Sequence, residues 1–220
     1  MKSCILLANG DAPKKSVINF LMKNGFDDLI AVDGGANSAR KLSLVPDFII
    51  GDLDSIDLEV KKFYSGKSKI IKYRRQTDTD VEKALTFALR NGYERVILLG
   101  ATGDRLDHTI CNLSLIIKYT ERLKLFVYHK RSLLSAYTSD AELETEKGEI
   151  VSVFMFGVNP LISSKGLKYK LKNTSLRFGE RESLSNVATG KKVSLEIFGG
   201  TAFVIRDFET LRKNGFFSQD

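Results

Sequence analysis

The sequence has few of the residues that build metal clusters and disulfide frameworks, and it has no apolar run long enough for a membrane span. Its 220 residues include two cysteines and two histidines, without the paired spacing of a zinc site. We expect Cys4 and Cys111 to be reduced core thiols, as in cytosolic proteins. The longest apolar runs fall far short of the roughly 20 residues that cross a bilayer. The sequence therefore predicts a cytoplasmic protein with no membrane partner.

Two common phosphate-binding signatures are also missing. The chain has no Gly-x-x-x-x-Gly-Lys-Ser/Thr loop, and no Gly-x-Gly-x-x-Gly follows the first predicted strand. The first residues carry one lysine and a short apolar stretch before Asn9, which predicts no signal peptide. These absences exclude a P-loop enzyme and a nicotinamide-binding fingerprint.

The chain is basic, with a formal net charge of +7 and a pI of about 9.3. Such a charge suits nucleic acid, a membrane surface or phosphorylated small molecules. Lysines are densest at residues 165–172 and at Lys191 and Lys192, but no basic run is interleaved with aromatic residues. We therefore expect a solvated basic surface, with phosphate ligands as the second interpretation and no nucleic-acid partner.

The first part of the chain alternates short apolar runs with amphipathic segments. Six runs have the pattern of buried strands: 3–8, 29–33, 48–51, 69–73, 95–101 and 123–128. Between them, one helical stripe is formed by Val17, Phe20, Leu21 and Asn24, and another by Val81, Ala84, Leu85, Ala88 and Leu89. This alternation predicts an α/β domain over residues 1–130, with a mostly parallel sheet covered on both faces.

The second part, residues 131–220, has a different rhythm. Strand-like runs occur at 133–138, 150–156, 167–171, 193–198 and 203–206, with glycines between them at turn spacing. The pair Gly199-Gly200 predicts a hairpin between two of these runs. We expect an all-β sandwich domain here, joined to the first domain near residues 130–132 without a flexible linker.

Polar residues follow the carboxyl ends of the predicted parallel strands, which is where open α/β sheets bind ligands. Asp52 and Asp54 lie two residues apart in one loop, and their hard oxygen ligands suit Mg²⁺ shared with substrate phosphates. The alternative is a helix start capped by Ser55 or Asp57. Asp33, before two glycines, has a similar alternative as a tight strand-to-helix turn.

Two helix starts carry further candidates. Thr79 and Glu82 have the spacing of a capping box, which explains those two residues but leaves Asp80 for a metal or phosphate site. Arg105, His108 and Asn112 share one helix face and can contact phosphate oxygens. We expect the opposite, apolar face of that helix to be the packed one, and its residues are Leu106, Ile110, Leu113 and Ile117.

Taken in order, these motifs resemble the thiamine pyrophosphokinase family. The resemblance runs from about residue 30 to residue 190 and rests on Asp33-Gly-Gly-Ala-Asn37, Pro46-Asp47, Gly51-Asp-Leu-Asp-Ser55, Thr79-Asp80 with Lys83-Ala-Leu85, Gly100-Ala-Thr-Gly103, Arg105-Leu-Asp-His108, Asn112-Leu113, Ser164-Lys-Gly-Leu-Lys-Tyr169 and Leu184-Ser-Asn186. Three positions depart from the family pattern: Thr77 stands where an aspartate is usual, Asp104 where a second glycine is common, and Tyr169 where some relatives have tryptophan.

The resemblance implies a transferase that moves pyrophosphate from Mg-ATP to thiamine and works as a homodimer with its sites near the interface. It implies Mg²⁺ ligands at Asp52, Asp54 and Asp80, with Asp33 beside them. The catalytic residues it implies are Asp54, Asp80 and Arg105. Its nucleotide-side residues are Asp33, Asn37, Gln76, Thr79, Arg105, His108 and Asn112. Its thiamine-side residues are Leu167, Tyr169, Ser185 and Asn186.

Two other functions remain open at this point. A sugar-nucleotide transferase could use Asp52 and Asp54 to hold a metal–diphosphate, and it would turn over a nucleotide sugar. A non-catalytic module could bind nucleic acid or nucleotide through the net charge of +7. Binding of that last kind would be salt-sensitive and would survive conversion of both aspartates to asparagine.

Overall fold

The structure, a computed structural model, describes residues 1–73, 77–103 and 105–218. Two compact units are present: the first comprises Met1–Lys130, and the second begins at Arg131. The predicted fold class, an α/β part with a mostly parallel sheet followed by a β-sandwich, is confirmed. In the described part of the chain, none of the helices is both long and apolar enough to cross a membrane.

Strands and helices alternate in the first unit. They are β1 (Ser3–Leu7), α1 (Lys15–Lys23), β2 (Asp28–Val32), α2 (Gly35–Lys41), β3 (Phe48–Gly51), α3 (Leu58–Tyr64), β4 (Lys69–Lys72), α4 (Asp80–Arg90), β5 (Arg95–Leu99), α5 (Leu106–Tyr119) and β6 (Lys124–His129). The six strands lie in the order β6-β5-β1-β2-β3-β4, and every neighbouring pair is parallel. Every residue of β1 and β5 is buried, as expected of parallel strands covered on both faces.

The strand order reverses beside β1. The chain runs outward from β1 through β2 and β3 to β4, and then returns to place β5 on the other side of β1. The connections that follow β1 and β5 therefore run in opposite directions along the sheet, and open α/β sheets bind ligands in the crevice at the carboxyl edge of such a point. This topological switch point positions the site described below.

The two helical patterns of the first unit had different outcomes. Helix α4 buries the predicted stripe, including Ala84, Leu85 and Ala88. For α5 the predicted packed face is wrong, because Leu106 is 71% exposed and Ile110 is 60% exposed. The residues that α5 buries are Asn112, Leu115, Ile116 and Tyr119. Apolar residues occur nearly all round the second half of α5, so periodicity alone could not choose the packed face.

As far as residue 218, the second unit contains eight strands and a short helix: β7 (Ser132–Tyr137), β8 (Ala141–Glu144), β9 (Ile150–Phe156), β10 (Leu161–Lys165), β11 (Thr174–Ser175), β12 (Ser183–Val187), β13 (Lys192–Phe198), β14 (Thr201–Asp207) and α6 (Phe208–Lys213). A 3₁₀ turn, Phe216–Ser218, follows. The strands form two antiparallel layers, β12-β9-β14-β7 and β11-β10-β13-β8. Side chains from both layers, such as Val153 and Leu195, share one core.

Two predictions for the second unit are wrong. Gly199 and Gly200 do not form a hairpin turn, because β13 and β14 belong to different layers of the sandwich. The glycines permit the crossing: a Cβ on Gly200 would lie 2.4 Å from the carbonyl oxygen of Phe156, and Gly199 has φ +71°. The predicted strand 167–171 is a loop, in which Leu167 makes only an isolated bridge to Ala188.

Candidate active site

A cavity of about 590 Å³ opens at the switch point of the first unit. It is lined by the loops that follow β1 and β5, by the end of β2, by the start of α4 and by the first two turns of α5. Asn9, Asp33, Asp80 and Thr102 are among the lining residues. The loop residues come directly after buried strands, so the rigid sheet fixes where the cavity begins.

Glycines allow the two loops at the floor of this cavity to pack backbone to backbone. The N–H of Gly10 donates to the carbonyl of Gly100 at 2.8 Å, and the N–H of Asp11 donates to that of Thr102 at 2.9 Å. A Cβ on Gly10 would lie 2.4 Å from the Thr102 carbonyl oxygen. A larger residue at position 10 would therefore push the loops apart and widen the cavity floor.

Three carboxylates from separate segments converge beside the cavity. One oxygen each from Asp33, Asp52 and Asp80 lies within 4.8 Å of the others, and this is the group of potential metal ligands found among the described residues. Asp33 follows β2, Asp52 follows β3, and Asp80 opens α4. The Asp52 N–H donates to Asp80 Oδ1 at 3.2 Å, which links two of the three segments directly.

Asp33 is the most buried member of the group, at 5% exposure. Its Oδ1 is buried and has no hydrogen-bond partner in the described part of the chain. Burial raises the pKa of Asp33; the neighbouring Ser55 hydroxyl and Gly34 N–H oppose the rise, and the charges of Asp80 and Asp52 add to it. A buried carboxylate oxygen without a donor is costly unless a cation completes its coordination.

Lys83 lies one turn into α4 and is only 5% exposed. Its Nζ donates to Asp80 Oδ1 at 2.8 Å and lies 3.9 Å from Asp52 Oδ2. The acidic group therefore contains a resident ammonium as well as three carboxylates. Asp80 Oδ1 consequently accepts from two donors, the Lys83 ammonium and the Asp52 N–H.

Asp54, which the resemblance made a metal ligand, is exposed and lies outside the converging group. Its Oδ1 accepts from the Ser55 hydroxyl at 3.0 Å, and its N–H donates to Asp52 Oδ1 at 3.3 Å. The alternative that this loop is only a helix cap receives little support. Asp57 is the N-cap residue of α3, but its side chain makes no capping hydrogen bond.

Thr79 and Asn37 have clear local roles. The Thr79 hydroxyl accepts from the Glu82 N–H at 3.2 Å, so Thr79 caps α4, and it also lines the cavity. The Glu82 carboxylate accepts from Lys118 and Tyr119 of α5. Asn37 binds the Ser55 carbonyl and the Asp57 N–H, which holds the loop after β3 against α2. Gln76, another predicted nucleotide-side residue, lies outside the described residues.

The three predicted residues at the start of α5 line the same cavity: Arg105, His108 and Asn112. The Arg105 guanidinium donates to the Asp107 carboxylate at 2.5 Å, and this hydrogen bond, together with one from the His108 N–H, lowers the pKa of Asp107 to about 2. Asn112 is buried and donates from Nδ2 to the Ala101 carbonyl at 2.7 Å. Cys111 is half-buried at the cavity wall, whereas Cys4 is a buried core thiol as predicted.

The predicted thiamine-side residues lie in the second unit, where Asn186 organises a loop. Asn186 is 1% exposed; its Oδ1 accepts from the N–H groups of Tyr169 and Val187, and its Nδ2 donates to the Tyr169 carbonyl and the Ser183 hydroxyl. Leu167 is buried in the sandwich core, while Tyr169 is 63% exposed. Ser185 sits at a bulge of β12 with φ +53°.

Comparisons with known proteins agree with this arrangement. Residues 22–127 match the sequence profile of the thiamin pyrophosphokinase catalytic domain, and residues 140–198 match that of its vitamin B1 binding domain. Thiamin pyrophosphokinase 1 of Caenorhabditis elegans is 30% identical over 193 residues, which cover 80% of this chain and 77% of the relative. The chain belongs to the thiamin pyrophosphokinase family.

Solved structures with the same family name share the fold. Thiamin pyrophosphokinase from Candida albicans matches with a TM-score of 0.82 at 18% identity, over 94% of this chain and 89% of that one. The Bacillus subtilis protein matches with a TM-score of 0.79 at 22% identity, over 94% and 99%. At these identities the likeness establishes the fold and leaves the site residues to be argued from this chain.

Within this family member, sequence reasoning missed three residues near the cavity. Lys83 was noted only as part of a motif, although its spacing of three from Asp80 predicts contact on one helix face. Asn9 lines the cavity directly after β1. His129, at the end of β6, forms a 2.6 Å hydrogen bond through Nδ1 with the Thr102 hydroxyl, and no local pattern indicated that pairing.

Proposed function

We propose that the protein transfers the pyrophosphoryl group of Mg-ATP to the hydroxyl of thiamine, giving thiamine diphosphate and AMP. The observation that carries this proposal is the convergence of Asp33, Asp52 and Asp80 beside a cavity at the switch point of a parallel sheet. Membership of the thiamin pyrophosphokinase family supports the choice of substrates.

The donor set of the acidic group fits Mg²⁺. Carboxylate oxygens are the ligands that Mg²⁺ prefers, and the unpartnered Oδ1 of Asp33 offers one at a buried position. Three carboxylates alone would repel a triphosphate, so a cation between them and the nucleotide is required. When bound, Mg²⁺ neutralises charge on the phosphate oxygens and orients them. We assign Asp52 and Asp80 as ligands, with Asp33 and Asp54 as further candidates in the same cluster of loops.

The cavity between β1 and β5 would hold the nucleotide. Arg105 supplies a guanidinium at the rim, and the backbone N–H groups at the start of α5 can donate to phosphate oxygens. Thr79, His108 and Asn112 complete the polar lining. The role of Asn37 is indirect in this proposal, because its amide holds the loop that carries Asp52.

The loop around Tyr169 would contact thiamine. Tyr169 exposes an aromatic ring suitable for stacking, and Ser185 is an exposed residue of β12 that offers a hydroxyl. Leu167 and Asn186 are buried and would act by fixing the position of that loop.

The transfer step follows from the proposed ligands. The hydroxyl oxygen of thiamine forms a bond to the β-phosphorus, the bond from that phosphorus to the α,β-bridging oxygen breaks, and AMP leaves with that oxygen. The hydroxyl proton passes to a carboxylate of the site, for which Asp54 and Asp80 are the candidates. Arg105 stabilises charge on the phosphate oxygens, and the rest of the site positions the reactants in line. We further propose a homodimer in the cytoplasm.

The product decides between this reaction and its alternatives. Incubation with ATP, Mg²⁺ and thiamine is expected to give AMP and thiamine diphosphate in equal amounts, measured by chromatography. Formation of ADP, or turnover of a nucleotide sugar without thiamine-dependent AMP, would contradict the proposal. Asp52→Asn is expected to abolish the reaction while leaving the circular dichroism spectrum unchanged, whereas a non-catalytic phosphate-binding module would keep its affinity.

A further inference from the structure

Lys83 is a buried cation that the proposed reaction does not use. It lies in a stretch of α4 whose other inward residues, such as Ala84 and Leu85, are apolar core residues. Its side chain is 4% exposed, while those of its partners Asp80 and Asp52 are 27% and 34% exposed. Lysine is almost never fully buried unless it is paired, so the position of its ammonium is set by these carboxylates.

Stability alone does not account for this lysine. Taking an ammonium out of water costs several kcal/mol, and a well-packed apolar residue at such a position is often as stable as a buried ion pair or more so. The ammonium lies beside Asp80 and Asp52, the two carboxylates that we assign as metal ligands. The position of the Lys83 ammonium beside these carboxylates therefore indicates that it influences the cation that they bind.

The formal charges at the site are balanced for one divalent ion. Asp33, Asp52 and Asp80 with Lys83 together carry a formal charge of −2, which a single divalent cation neutralises. We propose that Lys83 is a charge-balancing and positioning residue. It holds Asp80 and Asp52 in place, and its positive charge sets the net formal charge of the acidic group to the value that one divalent cation neutralises. This inference rests on the proposed function, because it assumes that the acidic group binds a metal ion.

The test compares a divalent and a trivalent cation on the full chain without nucleotide. Dissociation constants for Mn²⁺, by electron paramagnetic resonance, and for Tb³⁺, by luminescence, are measured for the parent and for Lys83→Gln. Glutamine removes the charge but keeps a donor for Asp80. The ratio Kd(Mn²⁺)/Kd(Tb³⁺) is the useful quantity. A general loosening of the site weakens the binding of both ions, and that common effect cancels in the ratio to first order.

We expect this ratio to rise about tenfold or more in Lys83→Gln, because a missing positive charge several ångström away favours the trivalent ion more than the divalent one. Lys83→Arg keeps the charge and should leave the ratio within about threefold of the parent. Lys118→Gln is the matched control, since Lys118 is an exposed lysine of α5 that pairs with a different carboxylate of α4, Glu82. An unchanged ratio in Lys83→Gln, with Mn²⁺ binding still strongly weakened by Asp80→Asn, would overturn the inference and leave the proposed function standing.

The test also gives an answer if Lys83→Gln does not fold or if the parent binds neither ion. Circular dichroism checks folding, and if Lys83→Gln does not fold, Asp52→Asn is compared with Asp52→Asn/Lys83→Gln. The double variant restores the formal charge of −2, so its ratio should exceed that of Asp52→Asn by about tenfold; equal ratios would overturn the inference. If the parent binds neither Mn²⁺ nor Tb³⁺ at the acidic group, the inference fails together with the proposed metal site.

Discussion

Asn112 and Ala101 are joined by a 2.7 Å hydrogen bond from the side-chain Nδ2 to the main-chain carbonyl. This bond ties the second turn of α5 to the loop that follows β5. The same loop is bonded to the one after β1 through Gly100 and Thr102. Asn112, itself buried, therefore acts on the floor of the proposed nucleotide cavity rather than as a free recognition group.

Replacing Asn112 should separate nucleotide binding from thiamine binding. Asn112→Ala leaves the Ala101 carbonyl unsatisfied and should cost about 1–3 kcal/mol of stability. We expect the KM for ATP to rise about tenfold while the KM for thiamine stays within about twofold, measured by steady-state AMP release. Asn91→Ala is the control, because it removes a similar amide-to-carbonyl bond, to Phe87, at the end of α4. Equal changes in both KM values would show that Asn112 does no more than stabilise the fold.

Asp80 and Asp54 should contribute unequally to metal binding. Asp80 belongs to the converging set, whereas Asp54 is exposed and lies outside it. Without nucleotide, Asp80→Asn should weaken Mn²⁺ binding at least about tenfold more than Asp54→Asn, because a ligand within the group contributes most. Titration followed by electron paramagnetic resonance measures this difference. A larger loss in Asp54→Asn would restore the ligand set that the family resemblance implied.

Asp33→Asn should weaken ion binding and raise the stability of the metal-free protein. Burial raises the pKa of Asp33, which means that ionising this carboxyl costs more in the folded chain than in the unfolded chain. The neutral amide removes that cost, so without metal the variant should melt at a higher temperature than the parent. Because the folded-state pKa is raised, the penalty fades as the pH falls through it, and the two melting temperatures should converge in acid. Differential scanning calorimetry at neutral pH and in acid checks both statements.

Asn186 should affect thiamine binding indirectly, through the loop around Tyr169 that its side chain holds in place. Asn186→Ala removes all four hydrogen bonds that its side chain makes, including both to Tyr169. We expect about 2–4 kcal/mol lower stability and a KM for thiamine raised more than that for ATP. Ser185→Ala, in which an exposed side chain is shortened, should leave stability within about 0.5 kcal/mol. Urea denaturation and steady-state kinetics measure these effects, and equal stability in the two variants would contradict the assignment.

Asp207, in the second unit, gives a pH-dependent contribution to stability. It caps α6 by accepting from the Thr210 N–H at 3.0 Å. Burial raises the pKa of Asp207, but the hydrogen bonds from Thr210 and Arg131 outweigh that effect and lower it. A lowered folded-state pKa means that this stabilisation is present at neutral pH and is lost as the pH falls below about 4. Asp207→Ala should cost about 1 kcal/mol at pH 7 and clearly less in strong acid, as measured by chemical denaturation.

The parts of the fold that were predictable have strong local patterns. Helix α4 has a single apolar stripe and a capping threonine, and both behave as predicted. The buried strands β1 and β5 are continuous apolar runs, which indicate their class without knowledge of their neighbours. The packed face of α5 and the path around Gly199 depend on what lies opposite them, and no local pattern contains that information.

The candidate site likewise contains residues that the sequence predicts and residues that only the fold brings together. Asp52 and Asp80 were predictable because each follows a recognisable strand or opens a recognisable helix. The burial of Asp33, the approach of Lys83 to Asp52 and the pairing of His129 with Thr102 were not predictable, because each depends on segments that are distant in sequence.

By itself, the sequence determined the strand–helix alternation, the second, strand-rich half and the family, because these depend on residue order and local periodicity. Only the tertiary structure decided that β5 returns to the far side of β1, and thereby which loops enclose a cavity. It also decided that three carboxylates and one lysine share a small volume, because Coulombic interactions and burial depend on distances in space rather than on separation along the chain.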